Sequence, residues 1–376
     1  MKVLFITTIP SPYRVAFFNE LGKLVELTVL FEKAGSDERD QSWKNYRFDN
    51  FQGIIMNGMK TSVNTAFCPE VCKYLSRQWD RIVCCNVATL TGMLAIQTMR
   101  QRKLSYWIEG DGAFAKNGKG FKEKVKRYFI SGANGYFSTS EEHDKYYLAY
   151  GGDRSKIHRY PFTSISKQYI ENAQICDGFR QEHVKSRSIL REYSRNKISA
   201  EEEIVVLTVG QFIHRKGFDI LLKAASKLPK NIGFYFVGGE PSGEYIAIQK
   251  QYNLYNVHFV GFKESLELSD YYRAADFFVL PTREDIWGLV INEAMAHSLP
   301  IITTDKCIAG LELVKNGKNG FIVPANSVSH LRSAIIKLAN NRKVREQFGM
   351  KSLDIIRGYT VEAMAEAHFQ ILNEER

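Results

Sequence analysis

Two carboxylates, Asp285 and Glu293, stand eight positions apart in the run Phe277-Phe-Val-Leu-Pro-Thr-Arg-Glu-Asp-Ile-Trp-Gly-Leu-Val-Ile-Asn-Glu-Ala-Met-Ala296, with Gly288 between them. The run reads as a buried strand, a short polar loop and a helix that opens at Gly288. A helix N-terminus presents unpaired N–H groups and a positive dipole end, which suits a diphosphate. The amides of Gly288, Leu289 and Val290 are the candidates for that contact. Five residues separate Gly288 from Glu293, roughly 7.5 Å of helical rise. One carboxylate can therefore serve each side of a bound diphosphate: Asp285 a sugar, Glu293 a ribose. This is the shape of a nucleotide-sugar site. The plainer alternative has Asp285 capping the helix.

A second phosphate-suited segment lies upstream, Glu203-Ile-Val-Val-Leu-Thr-Val-Gly-Gln-Phe-Ile-His-Arg-Lys-Gly-Phe-Asp-Ile-Leu-Leu-Lys-Ala224. Its apolar run 204–209 predicts a buried strand, Gly210 ends that strand, and Phe218 opens an amphipathic helix. Arg215 and Lys216 fall in the connecting loop. In an open parallel sheet, a cation beyond a strand's C-terminal end stands where such sheets bind ligands. A solvated basic loop is the alternative.

Together the two segments resemble the C-terminal domain of family 4 glycosyltransferases, retaining enzymes of the GT-B fold. That family carries a Glu-x7-Glu motif ending in Glu-Ala-Met-Ala, with Gly-Leu-Val inside it. Here the motif stands as Asp285-Ile-Trp-Gly-Leu-Val-Ile-Asn-Glu293-Ala-Met-Ala. Arg215-Lys-Gly matches the family's phosphate-binding Lys-Gly, and Val237-Gly-Gly, Phe259-Val-Gly-Phe262, Leu299-Pro-Ile-Ile and Asn319-Gly-Phe-Ile-Val follow in order. The resemblance is dense over residues 203–335 and fainter at Pro10-Ser-Pro-Tyr-Arg-Val-Ala-Phe-Phe-Asn-Glu-Leu21. Two positions depart from it. Asp285 replaces the first Glu, unless the neighbouring Glu284 fills that place out of register. Gln211 stands after Gly210, where the family often has a diphosphate-binding Arg, and Arg215 is the candidate to supply that charge.

The resemblance implies an α/β protein with two Rossmann-like domains facing each other across a cleft. It also implies transfer of a hexose-type sugar with retention from a nucleotide-diphosphate sugar, a UDP-sugar being one candidate. By family analogy the acceptor is a glycan or lipid-linked glycan of surface polysaccharide synthesis. Lys216 and Asp285 would carry catalysis. Gly210, Gln211, Arg215, Glu284, Gly288, Leu289, Val290 and Glu293 would complete the donor site. No cofactor is expected, and no metal, because Lys216, Arg215 and the helix amides supply positive charge and the chain lacks an Asp-x-Asp motif. A non-catalytic sugar-nucleotide-binding relative and a GT-B-fold sugar-nucleotide epimerase remain as alternatives.

The elements that must position these residues follow from pattern. Strands are predicted at 2–7, 26–31, 81–86, 104–108 and 135–138, and helices at 12–22, 67–76, 89–101, 121–131 and 140–150. Strands resume at 204–209, 233–237, 257–260, 277–280, 300–303 and 320–323. Such alternation predicts parallel sheets with crossover helices. The predicted division is 1–165 for an acceptor-side domain, 166–202 for a linker with an inserted helix, and 203–359 for a donor domain. By resemblance, a helix over 360–376 crosses back to the first domain. In the first half, Ser11-Pro12 is a good helix start that places Tyr13 and Arg14 at a strand's C-terminal edge. Trp107-Ile-Glu-Gly-Asp-Gly112 brings Glu109 and Asp111 to the same edge. Tyr13, Arg14 and Glu109 are the acceptor-side candidates, with plain turn roles as the alternative.

Composition bounds the rest. The chain has 376 residues, 44% of them hydrophobic and 24% charged, which is enough for two ordinary soluble domains. No run is long enough to span a membrane. The apolar start Val3-Leu-Phe-Ile reads as a first strand, so a cytoplasmic protein is expected, and the six cysteines read as core thiols. The formal net charge of +10 is unevenly spread: Arg100–Arg127 holds nine bases against three acids. Within 116–130, Phe121, Val125, Tyr128 and Phe129 share one helix face among Lys116, Lys119, Lys122, Lys124, Lys126 and Arg127. This suits an anionic membrane surface at the inner face of the cell membrane. Packing of that face on the domain is the alternative. No nucleic-acid motif accompanies the charge.

Overall fold

The computed structural model describes residues 1–36, 46–116, 118, 120–174, 189–190 and 204–374. The described chain forms two compact units, Met1–Ser164 with Tyr359–Arg376, and Ile165–Gly358.

The first unit holds strands β1 (Lys2–Thr7), β2 (Glu26–Phe31), β3 (Gln52–Ile55), β4 (Met59–Lys60), β5 (Ala66–Phe67), β6 (Arg81–Cys84), β7 (Trp107–Glu109), β8 (Gly135–Ser138) and β9 (Ile157–Arg159). Its helices are α1 (Pro12–Leu21), α2 (Val71–Tyr74), α3 (Leu90–Gln101), α4 (Phe121–Ile130) and α5 (Glu141–Ala149). Seven strands pair in parallel in the order β3-β2-β1-β6-β7-β8-β9. β1 is buried from Val3 to Ile6, as a strand with helices on both faces must be. Phe5, Phe17 and Phe18 interlock edge-on behind it. The expected single helix over 67–76 is corrected. Ala66–Phe67 pairs antiparallel with Met59–Lys60, Pro69 interrupts, and only one turn of helix follows at Val71–Tyr74.

The second unit holds α6 (Lys167–Gln174), β10 (Ile204–Val209), α7 (Phe218–Ala225), β11 (Ile232–Val237), α8 (Gly243–Gln251), β12 (Val257–Val260), α9 (Ser265–Ala274), β13 (Phe277–Leu280), α10 (Leu289–Ala296), β14 (Ile301–Thr304), α11 (Ile308–Leu313), β15 (Gly320–Val323), α12 (Val328–Ala339) and α13 (Arg342–Ile356). Its sheet runs β12-β11-β10-β13-β14-β15, all parallel. β10 and β13 lie side by side, Val206 opposite Phe277, and the strand order reverses between them. β-Branched and aromatic residues fill both strands because both faces are covered. Phe218, Leu221, Phe234, Phe236 and Val279 form the core under α7 and α12.

The inserted helix expected within 166–202 falls mostly outside the described residues. The described part of that stretch includes α6, which packs on α10. The last helix, α14 (Val361–Glu374), belongs to the first unit and packs on α1, burying Met364, Ala365, His368 and Leu372. The carbonyl of Leu372 accepts a 3.0 Å hydrogen bond from Arg81 Nε.

Candidate functional site

The reversal between β10 and β13 sends the chain away in opposite directions after each strand, and the loops beyond their C-terminal ends flank a crevice. Both chemically suggestive segments fall on these two loops. After β10, Gly210 at φ 152° turns the chain, and Gly238, at the end of β11, sits so close that a Cβ there would meet Gly210 O at 2.4 Å. A short turn, His214–Lys216, ends at Gly217 with φ 68°. A Cβ on Gly217 would stand 2.1 Å from Pro281 O, so only glycine lets the two loops touch.

Hydrogen bonds then tie loop to loop. Arg283 N donates to Arg215 O at 2.8 Å, and Thr282 Oγ1 to the same carbonyl at 2.9 Å. Arg215 Nη1 donates to Glu284 O at 2.9 Å. Arg283 also forms a bidentate pair with Asp219 of α7, both contacts 2.8 Å, and donates to His214 O at 2.6 Å. Burial alone would raise the Asp219 carboxyl, yet Arg283 and Lys223 hold it below the usual range. Sequence reasoning missed Arg283 and Asp219, since neither belongs to a motif and they are 64 positions apart.

Among the candidates, Lys216 and Asp285 meet directly, Nζ to Oδ2 at 2.5 Å, with side chains 13% and 8% exposed. Arg215 reaches the other oxygen of Asp285 at 3.1 Å. Asp285 thus points into the loop junction, whereas Glu284 is exposed and engages the loop through its carbonyl. Asp285 is pinned by its backbone as well: its N–H donates to Lys306 O at 2.8 Å and its carbonyl accepts from Ile308 N at 3.1 Å. Gln211 is exposed.

Gly288, at φ 106°, starts α10, and a Cβ there would crowd Cys307 Sγ at 2.9 Å. Ile291 N takes Gly288 O at 2.9 Å as the first helical bond, so the amides of Leu289 and Val290 precede the ladder. Trp287 Nε1 donates to Asn292 Oδ1 at 2.9 Å, and Cys307 Sγ donates to Trp287 O at 3.1 Å, which fixes the helix entry. One turn on, Glu293 is partly accessible, and Oε2 accepts from Tyr272 Oη at 3.0 Å. Burial pushes the Glu293 carboxyl up to about 7, the Tyr272 bond opposing it.

In the first unit, Pro12 opens α1 as expected, but Ser11, although at the N-cap, makes no side-chain cap bond. Arg14 is buried and pairs with Glu109, and with Asp111 at 2.5 Å, while Tyr13 Oη donates to Asp111 at 2.6 Å. Tyr160 Oη adds a 3.1 Å bond to Glu109. Burial would raise the Glu109 carboxyl, but Arg14 and His368 together outweigh it and hold the group well below the carboxylate range. Arg14 and Glu109 are therefore occupied by one another rather than presented outward. A buried guanidinium must be paired, and it takes the nearest carboxylates at the sheet edge where the sequence placed them. Tyr13 and Asp111 remain partly accessible. His143 is a packing residue, stacked on Tyr147, with burial lowering its pKa to about 3.

Residues 191–353 match the family model described as Glycosyl transferases group 1. An uncharacterized glycosyltransferase of Methanocaldococcus jannaschii is 30% identical over 192 residues, 50% of this chain and 54% of that protein. The lipopolysaccharide core biosynthesis glycosyltransferase LpsE of Rhizobium meliloti is 24% identical over 170 residues, 45% of this chain and 49% of LpsE. The chain thus spans about half the length of the curated relatives it matches. Among solved structures, Anabaena HepE in complex with UDP superposes with a TM-score of 0.79, covering 100% of both chains at 16% identity. The segment that carries both motifs thus matches the group 1 glycosyl transferase model, in a chain with the GT-B fold.

Proposed function

We propose that the chain is a retaining, metal-independent glycosyltransferase that takes a nucleotide-diphosphate sugar at the β10–β13 crevice. The observation that carries this reading is the Lys216–Asp285 pair, held by two opposed loops beside the N-terminus of α10. A diphosphate is a stronger partner for Lys216 than one carboxylate, because it brings more negative charge and more acceptor oxygens. Drawing Lys216 and Arg215 onto the phosphates releases Asp285. The freed carboxylate can accept from sugar hydroxyls and steady positive charge at the anomeric carbon. The amides of Leu289 and Val290 stabilise the departing diphosphate, which is why no metal is required in this scheme. Glu293 accepts from ribose hydroxyls. In a retaining reaction the acceptor hydroxyl attacks from the face the diphosphate leaves, and its proton passes to a departing phosphate oxygen. The UDP bound to HepE, of the same fold, supports a uridine nucleotide as the first donor to test.

For the acceptor we propose a glycan or lipid-linked glycan, supported by the LpsE similarity, at an anionic membrane surface met by α4. Phe121 is 81% and Tyr128 45% exposed on that helix, beside exposed Lys122, Lys124 and Arg127. Phe129 packs on the core, and Lys119 lies outside the described residues. Sedimentation with anionic liposomes at low salt, lost when Lys122 and Lys124 become Glu, is the expected result. Equal sedimentation of the variant removes α4 as the contact.

A nucleotide-sugar panel screened by thermal shift and then by nucleoside diphosphate release tests the donor reading. Stabilisation and release by at least one donor are expected. A panel that neither stabilises the protein nor is turned over overturns it.

A further inference from the structure

We propose that Tyr272 is a positioning residue for nucleotide binding, fixing Glu293 so that one carboxylate oxygen faces the ligand while the other is held from behind. This rests on the donor-site reading above. Tyr272 lies in the last turn of α9, outside every segment singled out in the sequence. Its side chain is fully buried. Its hydroxyl donates to Glu293 Oε2 at 3.0 Å. The ring itself is confined: His297 stacks on it at 5.1 Å and 21°, and Phe278 of β13 lies tilted against it at 5.9 Å. His297 is in turn fixed to α10, its Nδ1 bonded to Glu293 O at 2.9 Å. That bond makes Nδ1 the protonated nitrogen, since a carbonyl can only accept. Side chain and backbone of Glu293 are thus both held by one stacked pair.

The chemistry needs such a brace. A carboxylate on a helix rotates about three side-chain torsions, and a vicinal diol is read well only by one oriented carboxylate edge. Tyr272 satisfies Oε2 and leaves Oε1, which accepts from no donor among the described residues and belongs to a partly accessible side chain, for ligand hydroxyls. Burial raises the Tyr272 hydroxyl well above its usual value, so it stays protonated and remains the donor. Of the charged groups nearby, Arg273 bonds to Asp270 at 2.9 Å and to Asn172 O at 3.2 Å, and gives Glu293 no competing partner. Tyr169 of α6 borders the same recess, stacked edge-on to His297 at 5.7 Å.

A bare packing role for Tyr272 is separable from this one by a double-mutant cycle. Calorimetric dissociation constants for a uridine, a guanosine and an adenosine diphosphate are measured on the parent, Tyr272→Phe, Glu293→Gln and the double variant. Melting temperatures are read alongside to check that all four fold. Phe keeps the ring and its stacking and removes only the hydroxyl. Tyr272→Phe should weaken the preferred nucleotide about tenfold, the worth of one charge-assisted hydrogen bond. In the Glu293→Gln background it should add no more than about twofold. Equal weakening in both backgrounds, or none in either, overturns the positioning role while leaving the donor site intact. A folded parent that binds none of the three nucleotides overturns the donor site and this role together.

Discussion

Glu293 is the site residue whose environment makes the sharpest demand. Burial has pushed its carboxyl up to about 7, so the folded protein holds its proton more tightly than an unfolded chain, near 4.3, would. A raised acid contributes stability that is complete below the unfolded value and is lost as pH rises through about 7. Glu293→Gln removes that loss. The melting temperature of the variant, relative to the parent, should therefore climb between about pH 4.3 and about pH 7 and level off above that. A difference that stays flat with pH would show that Glu293 is not held as described. At this scale the sequence was legible wherever a residue's own chemistry is the message. Lys216, Asp285, Gly288 and Glu293 are charged or conformationally special, and their spacing together with the family resemblance singled them out; Lys216 and Asp285 do meet. Arg283, Asp219 and Tyr272 were not legible, because they act on other residues across 64 and 21 positions and carry no local pattern. Arg14 and Glu109 were placed at the same edge, but their pairing was not legible, since an ion pair between residues 95 positions apart cannot be read along the chain.

The loops that follow β10 and β13 are held in register by the Arg283–Asp219 pair. Arg283→Ala leaves Asp219 partly buried with only the looser Lys223 contact at 3.4 Å. A loss of about 2–3 kcal/mol in unfolding free energy is expected, below that of a fully buried pair because the Arg283 side chain is 17% exposed. Urea denaturation checks it, and a loss under about 0.5 kcal/mol would reduce the pair to an ordinary surface contact. The central strands of both sheets were legible because continuous apolar runs of four to six residues between helical patterns have one good interpretation. The edge strands Gln52–Ile55 and Ile157–Arg159 were not, being short and only partly buried. The helix expected over 67–76 failed because its apolar spacing fits either period at that length, and Pro69 decided the outcome.

Across the whole molecule, the chain leaves the first unit at Ser164 and returns to it at Tyr359. The return is secured by α14, whose Leu372 is fully buried. Leu372→Ala should cost about 2–4 kcal/mol through a cavity beside α1. Hydrogen exchange would then quicken in α1 and β6, and unchanged protection there would mean that α14 is not part of that core. Two parallel α/β halves were legible because each repeats the same alternation, and the ordered motifs, whose family resemblance implied the GT-B fold, fall within the segment that matches the group 1 glycosyl transferase model. The central claim is that Lys216 and its loop draw off the leaving diphosphate without a metal. The most direct measurement is phosphorus NMR of the nucleotide sugar that stabilises the protein best, incubated with EDTA and either the parent or Lys216→Ala. The account predicts nucleoside diphosphate release by the parent in chelator, and release slower by about 10²–10³-fold with the folded variant. Release that stops in EDTA and returns with magnesium, or a Lys216→Ala rate equal to the parent's, would contradict it.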